Sequence, residues 1–231
     1  MRALLITVLL CLTFPFSASS QTYFPEPIKE DFLKGRVKQV EEFIARFNYE
    51  EDWQGKKVED GSDPFLRSKY IHTLFDYDRF RQKDGSLIPE AEQFIQDVVK
   101  HRYLIHYNDT SWMAKVKCKA VAAKKRSDLI LYLHTKQIAP HEYAWIVTRA
   151  ESPLLKSPSD SLPNLKISPV EHEIGFTGLL SLKNIGKLKI TQIEDVSFHF
   201  RNVPGYSFTI ERIERKNSYN TGWLITSLNK L

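Results

Sequence analysis

Cysteine is almost missing from this chain. Only Cys11 and Cys118 occur. Cys11 lies in an N-terminal apolar run, so the rest of the chain holds one thiol and no internal disulfide. Stability must then come from an apolar core. Long apolar runs are missing too. After the first twenty residues none approaches the roughly 20 residues of a spanning helix, so no transmembrane segment is expected. The sequence has no G-x-G-x-x-G, no phosphate-cradling loop and no G-x-S-x-G elbow. No cofactor is expected. His141-Glu142 and His172-Glu173 each open a zinc-protease signature, yet neither has a second histidine four positions after the first. His101 and His106 point to different faces of a helix. Asp76 and Asp78 begin a calcium-loop pattern that fails at Phe80 and Arg81, where an oxygen ligand and a glycine are needed. No metal site is expected.

What is present begins with an address. Arg2 precedes an apolar run from Ala3 to Phe16, followed by small residues with Ala18 and Ser20 at cleavage-site spacing. This order reads as a secretory signal peptide over 1–20. The protein is therefore expected to be exported, to a periplasmic or extracellular location. Leu10 before Cys11 is too large for a lipid-modification signal. Residues 21–231 are read as one domain with a real core. Charge is uneven along it: residues 21–100 hold 13 basic and 17 acidic side chains, and residues 101–231 hold 19 and 11. A basic face on the C-terminal part follows only if those charges cluster in space.

Apolar periodicity marks three helices. Leu33, Val37, Val40, Ile44 and Phe47 form a stripe at three- and four-residue steps. Asp63-Pro64 is a good helix start, with Leu66, Tyr70, Ile71 and Leu74 as its apolar stripe. Pro89 opens the third helix, whose stripe is Ala91, Phe94, Ile95 and Val98. The period then changes to two. Trp112, Ala114, Val116, Cys118 and Ala120 alternate with Met113, Lys115, Lys117 and Lys119. A turn at "KKRSD" leads to "LILYLHTKQI", and "APHE" leads to "YAWIVTRAE", which predicts a three-stranded antiparallel meander. "RYLIHY" reads as a short strand before it. Residues 152–169 contain four prolines and five serines and read as a loop. Ser168 and Glu171 stand at capping-box spacing. "DVSFHF" reads as a strand, Pro204-Gly205 as a type II turn, and "YSFTIERIER" with "TGWLITSL" as a closing hairpin.

Helices first and antiparallel strands afterwards predict an α+β fold, with N-terminal helices packed on one face of a curved antiparallel sheet and a loop-rich insertion at about 152–205. A long amphipathic N-terminal helix, two further helices, a strand meander and the closing "GWLITSL" resemble the NTF2-like, cystatin-like cone fold over roughly 26–151 and 206–231. The phrases "FIARFNYEEDWQGK" and "SPVEHEIGF" also resemble stretches of uncharacterised exported bacterial proteins, which implies a compartment and no activity. The NTF2-like resemblance implies a pocket between helices and sheet, where some relatives do acid–base chemistry.

Three functions follow as expectations. The first is an exported, non-enzymatic binding or accessory protein for a small ligand or an envelope partner, with Tyr143, Trp145 and Trp223 lining the site. The second is a pocket enzyme of the isomerase, dehydratase or hydrolase kind, with His172 or Glu173 as general base. The third is an envelope interaction protein that uses a basic sheet face of Lys115, Lys117, Lys119, Lys124, Lys125 and Arg126. Nucleic acid is not an expected partner, because no aromatics for base stacking interleave the lysines. Cys118 shares the apolar side of its strand and is read as a small buried hydrophobe.

Overall fold

The structure is a computed structural model and describes residues 40–52, 56–139, 142–155, 166–167, 188–214 and 222–231. Its class is mixed α+β. Helix α1 covers 40–48 of these residues. It is followed by α2 (Pro64–Thr73), the single-turn α3 (Tyr77–Phe80) and α4 (Pro89–Lys100). The strands are β1 (Trp112–Ala122), β2 (Lys125–Ala139), β3 (Glu142–Glu151), β4 (Lys166–Ile167), β5 (Lys189–Phe200), β6 (Tyr206–Ile213) and β7 (Gly222–Lys230). They form one sheet in the order β4-β3-β2-β1-β5-β6-β7, antiparallel throughout.

Local chemistry explains the helix starts. Asp63 Oδ1 accepts from the N–H groups of Phe65 and Leu66, and Pro64 opens the first turn of α2. The inward side of α2 is Arg67, Ile71 and Leu74, while Leu66 is 39% exposed. This corrects one member of the expected stripe: Ile71 and Leu74 are buried and Tyr70 is half-buried, but Arg67 takes the inward place expected of Leu66. In α4 the residues Ala91, Phe94, Ile95 and Val98 are all buried. After α2 the chain lies parallel against the edge strand β7. The Ile225 N–H donates to the Leu74 carbonyl at 2.7 Å and the Asp76 N–H donates to the Ile225 carbonyl at 3.0 Å. Part of an exposed sheet edge is thereby covered.

Strand β1 alternates as its sequence predicts. Trp112, Ala114, Val116, Cys118 and Ala120 are buried. Lys117 is half exposed on the other side. Aromatic rings tie the helices to the sheet. Phe43 and Phe47 of α1 lie 6.0 Å from Phe200 and Phe208 respectively, and Phe94 of α4 lies 5.5 Å from Phe208. Phe200 stacks on Trp112 at 5.4 Å and 9°. One contiguous apolar cluster runs from Val40 to Ile225. Burying rings of this size contributes the largest share of the hydrophobic driving force, about 1.5–3 kcal/mol for each side chain fully removed from water.

Three further expectations need correction. The segment 152–205 is not an insertion as a whole, because β5 lies between β1 and β6 near the middle of the sheet, and β4 extends the sheet beyond β3. Its regular alternation is broken by irregular pairing between Lys117 and Cys118 and between Lys119 and Ala120. The inward residues of β5 are therefore Ile190, Ile193, Val196, Phe198 and Phe200, a spacing that hides the strand's first half. The turn between β1 and β2 is Ala123-Lys124, both at positive φ (46° and 67°), with Ala122 paired to Lys125. Lys125 and Arg126 thus belong to β2, not to the turn. Finally, "RYLIHY" is not a strand, since the Asn48 side chain takes both backbone polar groups of Ile105. The proposed helix start at Ser168 and Glu171 lies outside the described residues.

Candidate functional site

Among the described residues, aromatic rings pack against one another beneath the sheet. Trp145 packs edge-on against Trp112 at 5.2 Å, and Trp223 packs against Phe198 at 5.0 Å. Both tryptophans are at most 5% exposed. They are core residues, which corrects their expected role as a ligand-facing lining. Tyr143 stands opposite Gln137 in β3, and its side chain lies outside the described residues. His172 and Glu173, the expected general bases, also lie outside them. Cys118 is buried, and burial, with a smaller contribution from Glu194, pushes its thiol up to about 12. At neutral pH it is an inert thiol.

The lysine row has partners on neighbouring strands. Lys117 Nζ is 3.5 Å from Asp195 on β5. Lys119 Nζ bridges Asp128 on β2, at 2.5 Å, and Glu194 on β5, at 3.3 Å. Hydrogen bonds to those two carboxylates hold the Lys119 ammonium above the ordinary lysine range. Lys115 Nζ sits 5.9 Å from the centre of the Tyr132 ring. This corrects the expected six-charge patch, because two of its lysines are already neutralised by cross-strand carboxylates. Lys124, Lys125 and Arg126 are exposed and form no ion pair among the described residues. Lys189 of β5, also exposed, pairs with Val121, which in turn pairs with Arg126. Apart from Lys115, the unneutralised positive charge of this side therefore sits at one end of the sheet, around the β1–β2 turn.

The same outer side of the sheet holds a histidine between two hydroxyls. His199 Nδ1 is 2.9 Å from Thr209 Oγ1, and its Nε2 is 3.3 Å from Ser197 Oγ. Burial pushes His199 down, Lys115 adds to this, and Glu211 opposes it. The neutral ring is favoured. A hydroxyl beside a neutral imidazole has the makings of a nucleophile and base. However, Ser197 is only 6% exposed and lines neither of the two open grooves at the helical end, so its Oγ has no described seat for a substrate.

Two open grooves lie at the helical end of the molecule, and sequence reading found neither. One, of about 410 Å³, is lined by Asn48, Lys57, Val58, Pro64, Arg67, Arg102 and Leu104 among others. The other, of about 650 Å³, shares Asn48 and Glu50 with it and is lined by Glu41, Glu42, Glu51, Arg46 and His106. The first is basic and the second acidic. Both volumes fall within the range of small-molecule sites. In the first groove Arg67 is 6% exposed. Its Nη2 donates to the Tyr103 carbonyl at 2.5 Å, while its buried Nε has no partner. Burial pushes the Arg67 guanidinium below its ordinary range, with no carboxylate acting to hold it up. Among the described residues no group of histidine, cysteine and carboxylate side chains is arranged to hold a metal ion. The signal for Arg67 was present in the sequence as a three-and-four spacing with Ile71 and Leu74, masked because an arginine does not read as part of an apolar stripe.

No protein-family model, no curated protein and no solved structure matches the chain.

Proposed function

We propose that this is an exported, non-enzymatic binding or accessory protein whose small-ligand site is the groove at its helical end rather than a pocket beneath the sheet. The observation that carries the reading is the contrast between the two places. Among the described residues, aromatic rings pack closely under the sheet, whereas the 410 Å³ groove is open and contains a buried guanidinium without a counter-charge. Export is supported by the charge, apolar run and small residues of 1–20. The architecture in this proposal is an NTF2-like cone, with α1, α2 and α4 laid on one face of a curved sheet. The ring contacts of Phe43, Phe47 and Phe94 with β5 and β6 support that arrangement.

The test uses the full chain, expressed with its leader. The mature protein is expected to begin at about Gln21 and to be recovered outside the cytoplasm. Native mass spectrometry and thermal-shift screening are expected to find a bound small molecule. Leu104→Trp, which fills the groove from an exposed position, is expected to abolish that binding without loss of fold. Binding that survives Leu104→Trp, or a protein that neither carries nor responds to any small molecule, overturns the reading.

A second reading, an envelope protein that meets an anionic surface, is favoured by the unneutralised cluster of Lys124, Lys125, Arg126 and Lys189 around the β1–β2 turn. Lys117 and Lys119, each paired with cross-strand carboxylates, contribute little to it.

A further inference from the structure

We infer that the basic groove recognises an amphipathic small anion, with a carboxylate or phosphate head held by Arg67 and a hydrocarbon body lying along Val58, Val99 and Leu104. This deepens, and rests on, the binding-protein reading. The starting point is an arginine in the wrong place. Position 67 completes the inward side of α2 with Ile71 and Leu74, both at most 3% exposed. A leucine or methionine there would bury a side chain without removing a charge from water. Arg67 instead places a guanidinium at 6% exposure.

A guanidinium carries five N–H donors and no acceptor. For Arg67 the described residues supply one acceptor, the Tyr103 carbonyl, and leave Nε with none. No carboxylate among them lies within ion-pair distance. Removing a cation from water without a counter-charge costs several kcal/mol. An oxyanion bound in the groove supplies the missing counter-charge to the part of the guanidinium that lines it, while Nε itself is sealed from the groove; the planar fork suits carboxylate and phosphate.

The rest of the groove fits the same ligand. Lys57 and Arg102 are exposed on its wall and form no ion pair among the described residues. The one carboxylate on the lining, Glu50, already accepts from Asn48 Nδ2 at 3.0 Å. Three cations against one carboxylate leave the groove positive. Its apolar wall includes Leu104, one of the few large apolar side chains among the described residues that is substantially exposed, at 44%. A head-and-body anion uses both features, whereas a bare inorganic ion would use only the first.

The bland alternative is that Arg67 serves only to tie α2 to the chain after α4 through Tyr103. The experiment separates the two. Isothermal titration of the full mature protein is carried out with octanoate, octyl phosphate, octanamide and inorganic phosphate. Octanoate or octyl phosphate is expected to bind, and whichever binds more tightly identifies the head. Octanamide and inorganic phosphate are expected to bind at least about tenfold more weakly, the loss of one charge-assisted contact or of the apolar contact. Arg67→Met keeps the stripe apolar and is expected to lose binding with little change in melting temperature. Lys57→Gln with Arg102→Gln, both at exposed positions, is expected to weaken binding without touching the fold. If Arg67→Met does not fold, the double variant decides. Equal binding of octanamide, or unchanged affinity in the double variant, overturns the anion assignment while leaving the groove a ligand site. Failure of all four compounds also overturns it. In that case the binding-protein reading is judged separately by the native mass spectrometry and Leu104→Trp results.

Discussion

Asn48 holds Ile105 by both of its backbone polar groups. Its Oδ1 accepts from the Ile105 N–H at 2.9 Å and its Nδ2 donates to the Ile105 carbonyl at 2.8 Å. The two residues are 57 positions apart, and Ile105 is fully buried. The side-chain amide does here what a neighbouring strand would do, because buried backbone groups must be paired. It also closes the end of α1 against the segment that leads into β1.

Asn48→Ala is therefore expected to leave two buried groups without partners and to cost about 2–4 kcal/mol. Asn48→Asp keeps the acceptor but replaces the donor with a second oxygen. It sets a carboxylate against the Ile105 carbonyl and beside Glu50, and should be at least as damaging. Denaturant unfolding measures both. A loss below about 0.5 kcal/mol for Asn48→Ala would mean that water replaces the clamp at no cost.

Tyr206 and Asp97 make the fold sensitive to both acid and base. The Tyr206 hydroxyl donates to Asp97 Oδ2 at 2.6 Å, joining β6 to α4. That bond, with smaller help from Gln93, His101 and Lys100, holds the Asp97 carboxyl below the ordinary range. Burial, and then Asp97 itself, pushes the Tyr206 hydroxyl up to about 12. The signs follow by linkage. Asp97 contributes stability that is fully present above the unfolded aspartate pKa and is lost as pH falls through the lower folded value. Tyr206 contributes stability that is present below about pH 10, the unfolded tyrosine value, and is lost as pH rises toward about 12. In Tyr206→Phe the Asp97 carboxyl is expected to titrate closer to an ordinary aspartate, and the alkaline loss is expected to shrink. Carbon-detected titration of Asp97 reads the first effect. An unchanged Asp97 pKa in that variant refutes the coupling.

Much of this architecture can be read in the chain, and what cannot has physical causes. The stripe of α4 and the alternation of β1 are legible because every inward residue is apolar and the period is unbroken. Asp63-Pro64 and Pro204-Gly205 are legible because capping and turn chemistry depend on residues adjacent in sequence. In the turn, Gly205 sits at φ 78° and the Tyr206 N–H donates to the Val203 carbonyl. Arg67 is illegible because apolar periodicity assigns polar residues outward. Half of β5 is illegible because two pairing irregularities disrupt its period. The fate of Ile105 depends on a side chain 57 residues away, which no local pattern reports. The grooves are illegible for the same reason, since their walls come from α1, α2 and the chain after α4.

The β1–β2 turn carries correctable strain. A two-residue hairpin with positive φ at both positions favours Asn and Gly, and here it holds Ala123 and Lys124. Left-handed backbone costs a residue with a Cβ roughly 1–2 kcal/mol. Ala123→Asn with Lys124→Gly is expected to stabilise the protein by about 1 kcal/mol after the added unfolded-state entropy of glycine. Gly205→Ala is the converse. Its new Cβ would meet nothing within 4 Å, yet the positive φ makes a loss of about 1–2 kcal/mol the expected result. Thermal unfolding checks both. A neutral Gly205→Ala would show that the turn relaxes to a different type.

The lysine row can be tested at fixed net charge. Lys117 and Lys119 are matched by Asp195, Asp128 and Glu194 at 2.5–3.5 Å. Around them the field of the lysines and that of the carboxylates largely cancel beyond a Debye length of about 8 Å in physiological salt. Lys124, Lys125 and Arg126 have no such partners among the described residues, and Lys189 adds to their field. Two triple variants remove the same three charges from different places: Lys115→Gln, Lys117→Gln and Lys119→Gln in one, and Lys124→Gln, Lys125→Gln and Arg126→Gln in the other. If net charge alone governs attachment to an anionic surface, both lose affinity equally. If the turn end of the sheet makes the contact, the second triple loses sedimentation with anionic vesicles and the first retains most of it, with a nearly unchanged salt dependence. A greater loss in the first triple would put the contact on the lysine row itself, despite its carboxylate partners.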